Sequence, residues 1–152
     1  MFKTTYRVFA LASVLGLMAT LPARAAIQLQ PGLWEMNQSG TENGEATVPR
    51  LGTYCMSPED GKNPIKAFTA MKGPGVDKCS TLQVQRNGNK VSVAMTCSGA
   101  KHASIDAHFA FTFRDLRHYS GRIKTAIVYA GGKIKSDQTL DAHWIRANCG
   151  RQ

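Results

Sequence analysis

The chain has 152 residues, with 19 Lys/Arg against 10 Asp/Glu, a formal charge of +9 and 43% apolar residues. That length supports one domain with a modest core. No nucleic-acid recognition motif accompanies the basic charge, and no internal repeat or low-complexity tract is present, which excludes nucleic-acid binding and solenoid architectures.

The first 25 residues read as an export leader. Lys3 and Arg7 form a basic start, residues 8–21 form an apolar run, and Ala23-Arg24-Ala25 makes an A-x-A site ahead of Ala26. The run of 14 residues is shorter than the roughly 20 that a membrane helix needs. Cleavage between Ala25 and Ala26 is expected, leaving 127 residues and a charge of +6, because the leader holds three basic residues and no acid. No Cys stands at the cleavage point for a lipid anchor, and no twin Arg is present, so general secretion to the periplasm or beyond is the expected route. The remaining charge is uneven. Residues 26–98 hold seven Lys/Arg against six Asp/Glu, and residues 99–152 hold nine against four. Arg114, Arg117, Arg122, Lys124, Lys133 and Lys135 make up most of that excess. It reads as a solvated face of alternating cations, with an anionic envelope component as the partner it would suit.

After the leader, Pro31-Gly32 is a turn signal set against Leu33-Trp34-Glu35. Residues 33–38 are predicted as the first strand, with Trp34 buried and Leu33 and Glu35 on the opposite face. The polar stretch SGTENGEA is predicted as a loop. Residues 47–55 follow as a strand whose Pro49 marks it as an edge or a bulge. Ser57-Pro58-Glu59-Asp60 has the form of an N-cap, a first-turn proline and acids favoured by the helix dipole. Pro64 interrupts this helix and Asn63-Pro64 can cap a fresh start. Ile65, Phe68 and Met71 then form one apolar stripe, which Gly73-Pro74-Gly75 ends.

The segment CSTLQVQRNGNKVSVAMTC places two β-type runs around Asn87-Gly88-Asn89, a strong hairpin signal. A three-residue loop centred on Gly88 pairs positions whose numbers sum to 176, and Cys79 and Cys97 are such a pair. Directly opposed residues have Cβ atoms about 4.5–5.5 Å apart, near disulfide range. Of the three pairings that four cysteines allow, the expected one is therefore Cys79 with Cys97, leaving Cys55 with Cys149 by elimination. No C-x-x-C and no compact Cys–His spacing suggests a metal instead.

Residues 103–115 alternate cleanly, with Ile105, Ala107, Phe109, Phe111 and Phe113 on one face and Asp106, His108, Thr112 and Arg114 on the other. Turns at 115–117 and 130–132 lead into strands over 118–129 and 133–146. The predicted fold is mainly β: an antiparallel meander of about seven strands, curled into a barrel-like or half-barrel sheet. One short helix lids its concave side and two disulfides staple it. The Phe residues fill space in that concavity as readily as they line a ligand cavity.

Catalytic motifs are absent: no G-x-S-x-G, no H-E-x-x-H, no Walker or dinucleotide loop. The histidines His102, His108, His118 and His143 lack metal-type spacing, and Glu59-Asp60 is explained by the helix start. With each cysteine bridged, no thiol nucleophile remains. No cofactor or metal is expected.

PGLWE just after a leader, CMSPED at residues 55–60, Lys78-Cys79 ahead of a hairpin and a terminal Cys resemble the bacterial exported family called domain of unknown function 3617. The chain departs from that pattern at Ala147-Asn148, where members often place a Gly before the last Cys. The resemblance implies export, one domain over residues 26–152 and this cysteine framework, and it implies no activity. The expected function is a non-enzymatic binding or interaction domain for a small apolar ligand or an anionic envelope component. Two competing expectations are a metal- or histidine-dependent hydrolase using His108, His118 and nearby acids, and a structural envelope-stress protein.

Overall fold

The computed structural model describes residues 26–70, 78–99 and 103–150. The expected leader up to Ala25, Met71, the Gly73-Pro74-Gly75 stop and His102 lie outside them. In chain order the elements are β1 (Gly32–Glu42), β2 (Glu45–Ala46), β3 (Arg50–Met56), α1 (Pro58–Lys62), α2 (Pro64–Thr69), β4 (Lys78–Asn87), β5 (Lys90–Ser98), β6 (Ser104–Asp115), β7 (His118–Tyr129) and β8 (Gly132–Arg146). The strands form one antiparallel sheet in the order β2-β1-β8-β7-β6-β5-β4, and β3 also pairs β1. From β4 to β8 this is the expected meander. β1 returns beside β8, so the sheet curls, and among the described residues no ladder joins β4 to the β1–β3 edge. It is a half-barrel, not a closed barrel.

Period-two alternation builds the concave face. Val91, Val93, Met95 and Cys97 of β5 are buried, as are Ala107, Phe109, Phe111 and Phe113 of β6. Across the sheet Trp34, Tyr119, Leu140 and Ala142 join the same core, with Leu29 and Met56 at its end. Residues between these positions face solvent, as one-sided alternation demands.

Three local expectations need correction. SGTENGEA is not a loop: β1 continues to Glu42 and folds back through Asn43-Gly44 into β2, pairing Glu42 with Glu45. Asn43 and Gly44 have φ of +52° and +90°, so Asn-Gly serves as a tight hairpin turn here. The single expected helix is two short ones. Ser57 caps α1, its Oγ accepting from the Asp60 N–H at 3.1 Å, whereas Asn63 stands at the start of α2 without a side-chain cap.

The third correction concerns the route to the short bridge. Cys79 and Cys97 do face each other and are bonded. But the turn is the two-residue Gly88-Asn89, pairing Asn87 with Lys90 and Gln83 with Ala94, one number away from the expected sum. Gly88, at φ +59°, takes the first central position of that turn. An extra residue between Thr81 and Gln83 then bulges β4 and restores the expected register from Thr81–Met95 to the cysteines. The second bridge joins Cys55 to Cys149, a sequence separation of 94, and ties β3 to the segment after β8.

The PGLWE stretch closes one end of the half-barrel. The Leu29 N–H donates to Gly61 of α1 at 2.8 Å and the Gln30 N–H to Leu116, in the β6–β7 turn, at 2.7 Å. Gln30 also accepts the Trp34 indole N–H on its carbonyl at 2.9 Å. Pro31 accepts the Trp144 indole N–H at 3.0 Å. Gly32 sits at φ +129° with its α-carbon against the Arg146 and Ala147 backbone, leaving no room for a Cβ. Trp34 is 0% exposed, while Leu33 and Glu35 lie half-buried on the opposite face, as expected.

Candidate functional site

The convex face carries His108, His118 and His143, and the fold does not bring together the pair that the hydrolase reading needs. His108 faces Lys124 across the β6–β7 ladder, whereas His118 faces His143 across β7–β8. Positions 118 and 124 lie about 20 Å apart along β7 at 3.3 Å per residue. His118 Nε2 lies 2.9 Å from an Asp141 carboxylate oxygen, and His143 Nε2 lies 3.2 Å from Glu35 Oε1. Asp106, the acid nearest His108 in sequence, accepts instead from the Thr96 hydroxyl at 2.9 Å. Among the described residues no group of three or more His, Cys, Asp or Glu is arranged to hold a metal ion.

The basic C-terminal half is more internally engaged than its composition suggests. Arg122 makes a two-pronged pair with Asp137, both bonds at 2.6 Å, and Lys124 reaches the same carboxylate at 3.4 Å. The Arg122 hydrogen bonds hold the Asp137 carboxyl below its ordinary range. Arg117 lies over the Trp144 ring, 4.7 Å from its centroid, and its Nε–H donates to the Gln30 side chain at 2.7 Å. Three of the six named cations therefore serve the fold.

The concave face offers the chemistry that remains, and α2 divides it. On the β1–β3–β7 side aromatic rings fill the space. Phe68 of α2 packs against Phe111 and Tyr119 with ring centroids 4.9 and 5.0 Å away, and Trp34 lies 5.5 Å from Tyr119. The hydroxyls of Tyr54 and Tyr119 bond to each other at 2.8 Å. Burial is the main cause pushing both phenols up, with the neighbouring Tyr119 adding to the effect on Tyr54. A shallow cleft of about 290 Å³ remains here, lined by Met36, Tyr54, Met56, Asp60, Phe68 and Tyr119 among others.

On the β4–β5 side the same helix leaves a larger opening of about 470 Å³. Ile65 and Pro64 of α2 form one wall, Val84, Val91 and Val93 of the hairpin form the other, and Ile27 closes the end. Val84 lies on the concave face, opposite Val93 in register, and is nevertheless 55% exposed. Lys62, Lys66 and Arg86 stand on the rim, and no Asp or Glu is among the described lining residues. Sequence reasoning passed over this group. Its one signal was the alternation that sets Arg86 on the face of Val84, since Lys62 and Lys66 belong to two helices broken at Asn63-Pro64.

All four cysteines are bridged, an arrangement that suits an oxidising, extracellular environment. Among the described residues no helix is long and apolar enough to cross a membrane. No curated protein and no solved structure matches the chain. A family model, described as "Protein of unknown function (DUF3617)", matches residues 29–149. That span runs from the Leu29 anchor to the closing Cys149, and the chain belongs to that family.

Proposed function

We propose that this protein is a non-enzymatic binding domain that holds a small, largely apolar molecule on the concave face of its half-barrel, beside the helical lid. The observation that carries this reading is the β4–β5 cleft. Val84 stands 55% exposed on its wall, although the other side of α2 is packed with rings. The volume of the cleft falls within the roughly 300–1,000 Å³ typical of small-molecule sites. Val84, 55% exposed, gains by burial against a ligand, at about 25 cal/mol per Å² of apolar surface removed from water, whereas Val91 and Val93 already lie in the core. The domain works in the periplasm or outside the cell after cleavage between Ala25 and Ala26, a location that both disulfides favour.

Native mass spectrometry of protein purified from the compartment where it matures tests both parts. A chain beginning at Ala26 and a mass adduct lost on mild activation are expected. Val84→Trp, which fills the cleft, should abolish the adduct, while Leu51→Trp at the 69% exposed edge strand should not. An adduct indifferent to Val84→Trp overturns the site, and a chain retaining residues 1–25 overturns the processing.

A further inference from the structure

We propose that the outer edge of β3 pairs with the same edge of a second copy of this chain. The two strands run antiparallel about a two-fold axis at Thr53 and join two half-barrels into one sheet. This goes beyond the binding reading and does not depend on it. β3 ends the sheet, because its ladder runs to β1 alone. The bonding pattern of β1 shows which β3 groups are left over. The Gly40 carbonyl accepts the Thr47 N–H on the β2 side, while the Ser39 and Thr41 carbonyls accept from the Thr139 and Gln138 side chains of β8. Even-numbered residues of β1 therefore turn their backbone groups toward β3. Arg50, Gly52 and Tyr54, opposite Gln38, Met36 and Trp34, are the residues that bond them. Leu51, Thr53 and Cys55 alternate with these and turn their N–H and C=O groups outward, where no described residue takes them.

A free edge is commonly blunted by a charge, a proline or a bulge. The run from Leu51 to Cys55 has none of these. Its register against β1 is unbroken, Pro49 and Arg50 stand before it, and Leu51 is 69% exposed. What selects a second copy is self-complementarity. An axis at Thr53 sets all seven residues of β3 against their own copy: Arg50 opposite Met56, Leu51 opposite Cys55, Gly52 opposite Tyr54 and Thr53 opposite Thr53. Each outward-facing residue then meets another outward-facing residue, as an antiparallel ladder requires. No like charges are opposed. Arg50, the one charged residue of β3, comes to the end where the exposed Glu59 opens α1 of the other copy. Leu51 lands beside Cys55, and Gly52, with open space where a Cβ would stand, leaves room for the Tyr54 ring. A two-fold contact closes on itself and stops at a dimer. One short ladder lies at the small end of specific interfaces, so this dimer is a weak one that forms as concentration rises.

The test is sedimentation velocity of the purified, disulfide-intact protein, which should show a monomer–dimer equilibrium that shifts with concentration. Amide hydrogen exchange followed by NMR at low and high concentration reads the register. The Leu51, Thr53 and Cys55 amides should gain at least tenfold protection in the dimer, while those of Gly52 and Tyr54, already bonded to β1, should not change. Thr53→Pro, which removes an outward N–H and no bond to β1, and Leu51→Lys should each weaken dimerisation at least tenfold. Arg50→Glu should weaken it severalfold, and Thr53→Val should retain it. Thermal unfolding of each variant shows that the fold is kept. A monomer at every concentration, growth beyond the dimer, or a dimer indifferent to both Thr53→Pro and Leu51→Lys overturns the proposal. Protection gained on β4 in place of β3 puts the contact on the opposite edge and overturns it as well.

Discussion

The two flanks of the concave face are built from the same alternating strands and end differently. On the β1–β3–β7 flank Trp34, Tyr54, Phe68 and Tyr119 interlock, and the Cys55–Cys149 bridge ties the start of the domain to its end. On the β4–β5 flank the inward residues beyond β5 are short or charged, and Val84 stays exposed. The bridge there, Cys79–Cys97, spans only its own hairpin. The difference teaches that an open half-barrel need not be filled evenly. Stability can concentrate where β1, β3 and the segment after β8 meet, leaving the β4 edge to hold something else.

Removing the bridges breaks this comparison most sharply. In the chain-entropy view a constraint over 94 residues is worth about 4–5 kcal/mol and one over 18 residues about 3 kcal/mol. Urea unfolding of Cys55→Ser/Cys149→Ser and Cys79→Ser/Cys97→Ser should therefore show the larger loss for the long bridge. Equal losses would mean that the flanks do not differ in how they are held. Next in size, Trp34→Ala should cost about 3–5 kcal/mol through the cavity it leaves. Val84→Ala should cost under about 1 kcal/mol, because that side chain is already 55% exposed. A Val84 loss close to that of Trp34 would show the β4 flank to be packed core and remove the cleft.

The tyrosine pair adds a modest effect that depends on pH. Both phenols are raised by burial, so their folded values lie above the unfolded value of about 10. The sign follows: their stabilisation is fully present below pH 10 and is lost as pH rises beyond it, when the unfolded chain can ionise and the folded one resists. Tyr54→Phe removes the hydroxyl bond, costing about 1 kcal/mol at neutral pH, and should flatten part of the alkaline decline. Spectrophotometric titration at alkaline pH, paired with circular dichroism, should find Tyr54 and Tyr119 ionising only as the fold is lost. Ionisation in the folded state would show that flank to be wet.

Much of the fold was legible because its signals are local. Alternation in β6 needs only neighbouring residues, and Ser57-Pro58 starts a helix through its own backbone geometry. Asn43-Gly44 carried an equally local turn signal that was read past, since the polar residues around it lack the apolar alternation of a strand. The Cys79–Cys97 pairing was expected from a turn one residue too long, and a bulge in β4 compensated. No propensity in that segment announces the bulge. Of the candidate site, Arg86 was readable as an inward charge in an apolar alternation, but its meeting with Lys62 and Lys66 was not.

By itself, then, the sequence determined the strands from β4 to β8, the first helix, the aromatic face of β6, the burial of Trp34 and both bridges, all of which follow from period-two patterning, capping chemistry and cysteine arithmetic. Only the tertiary structure decided that β1 returns beside β8 and that, among the described residues, β4 stays unpaired on its outer side. It also separated His108 from His118 and brought Lys62, Lys66 and Arg86 to the lining of one cleft. Those outcomes depend on how far a twisted sheet curls and where α2 crosses it, quantities set by packing over the whole sheet and by no segment alone.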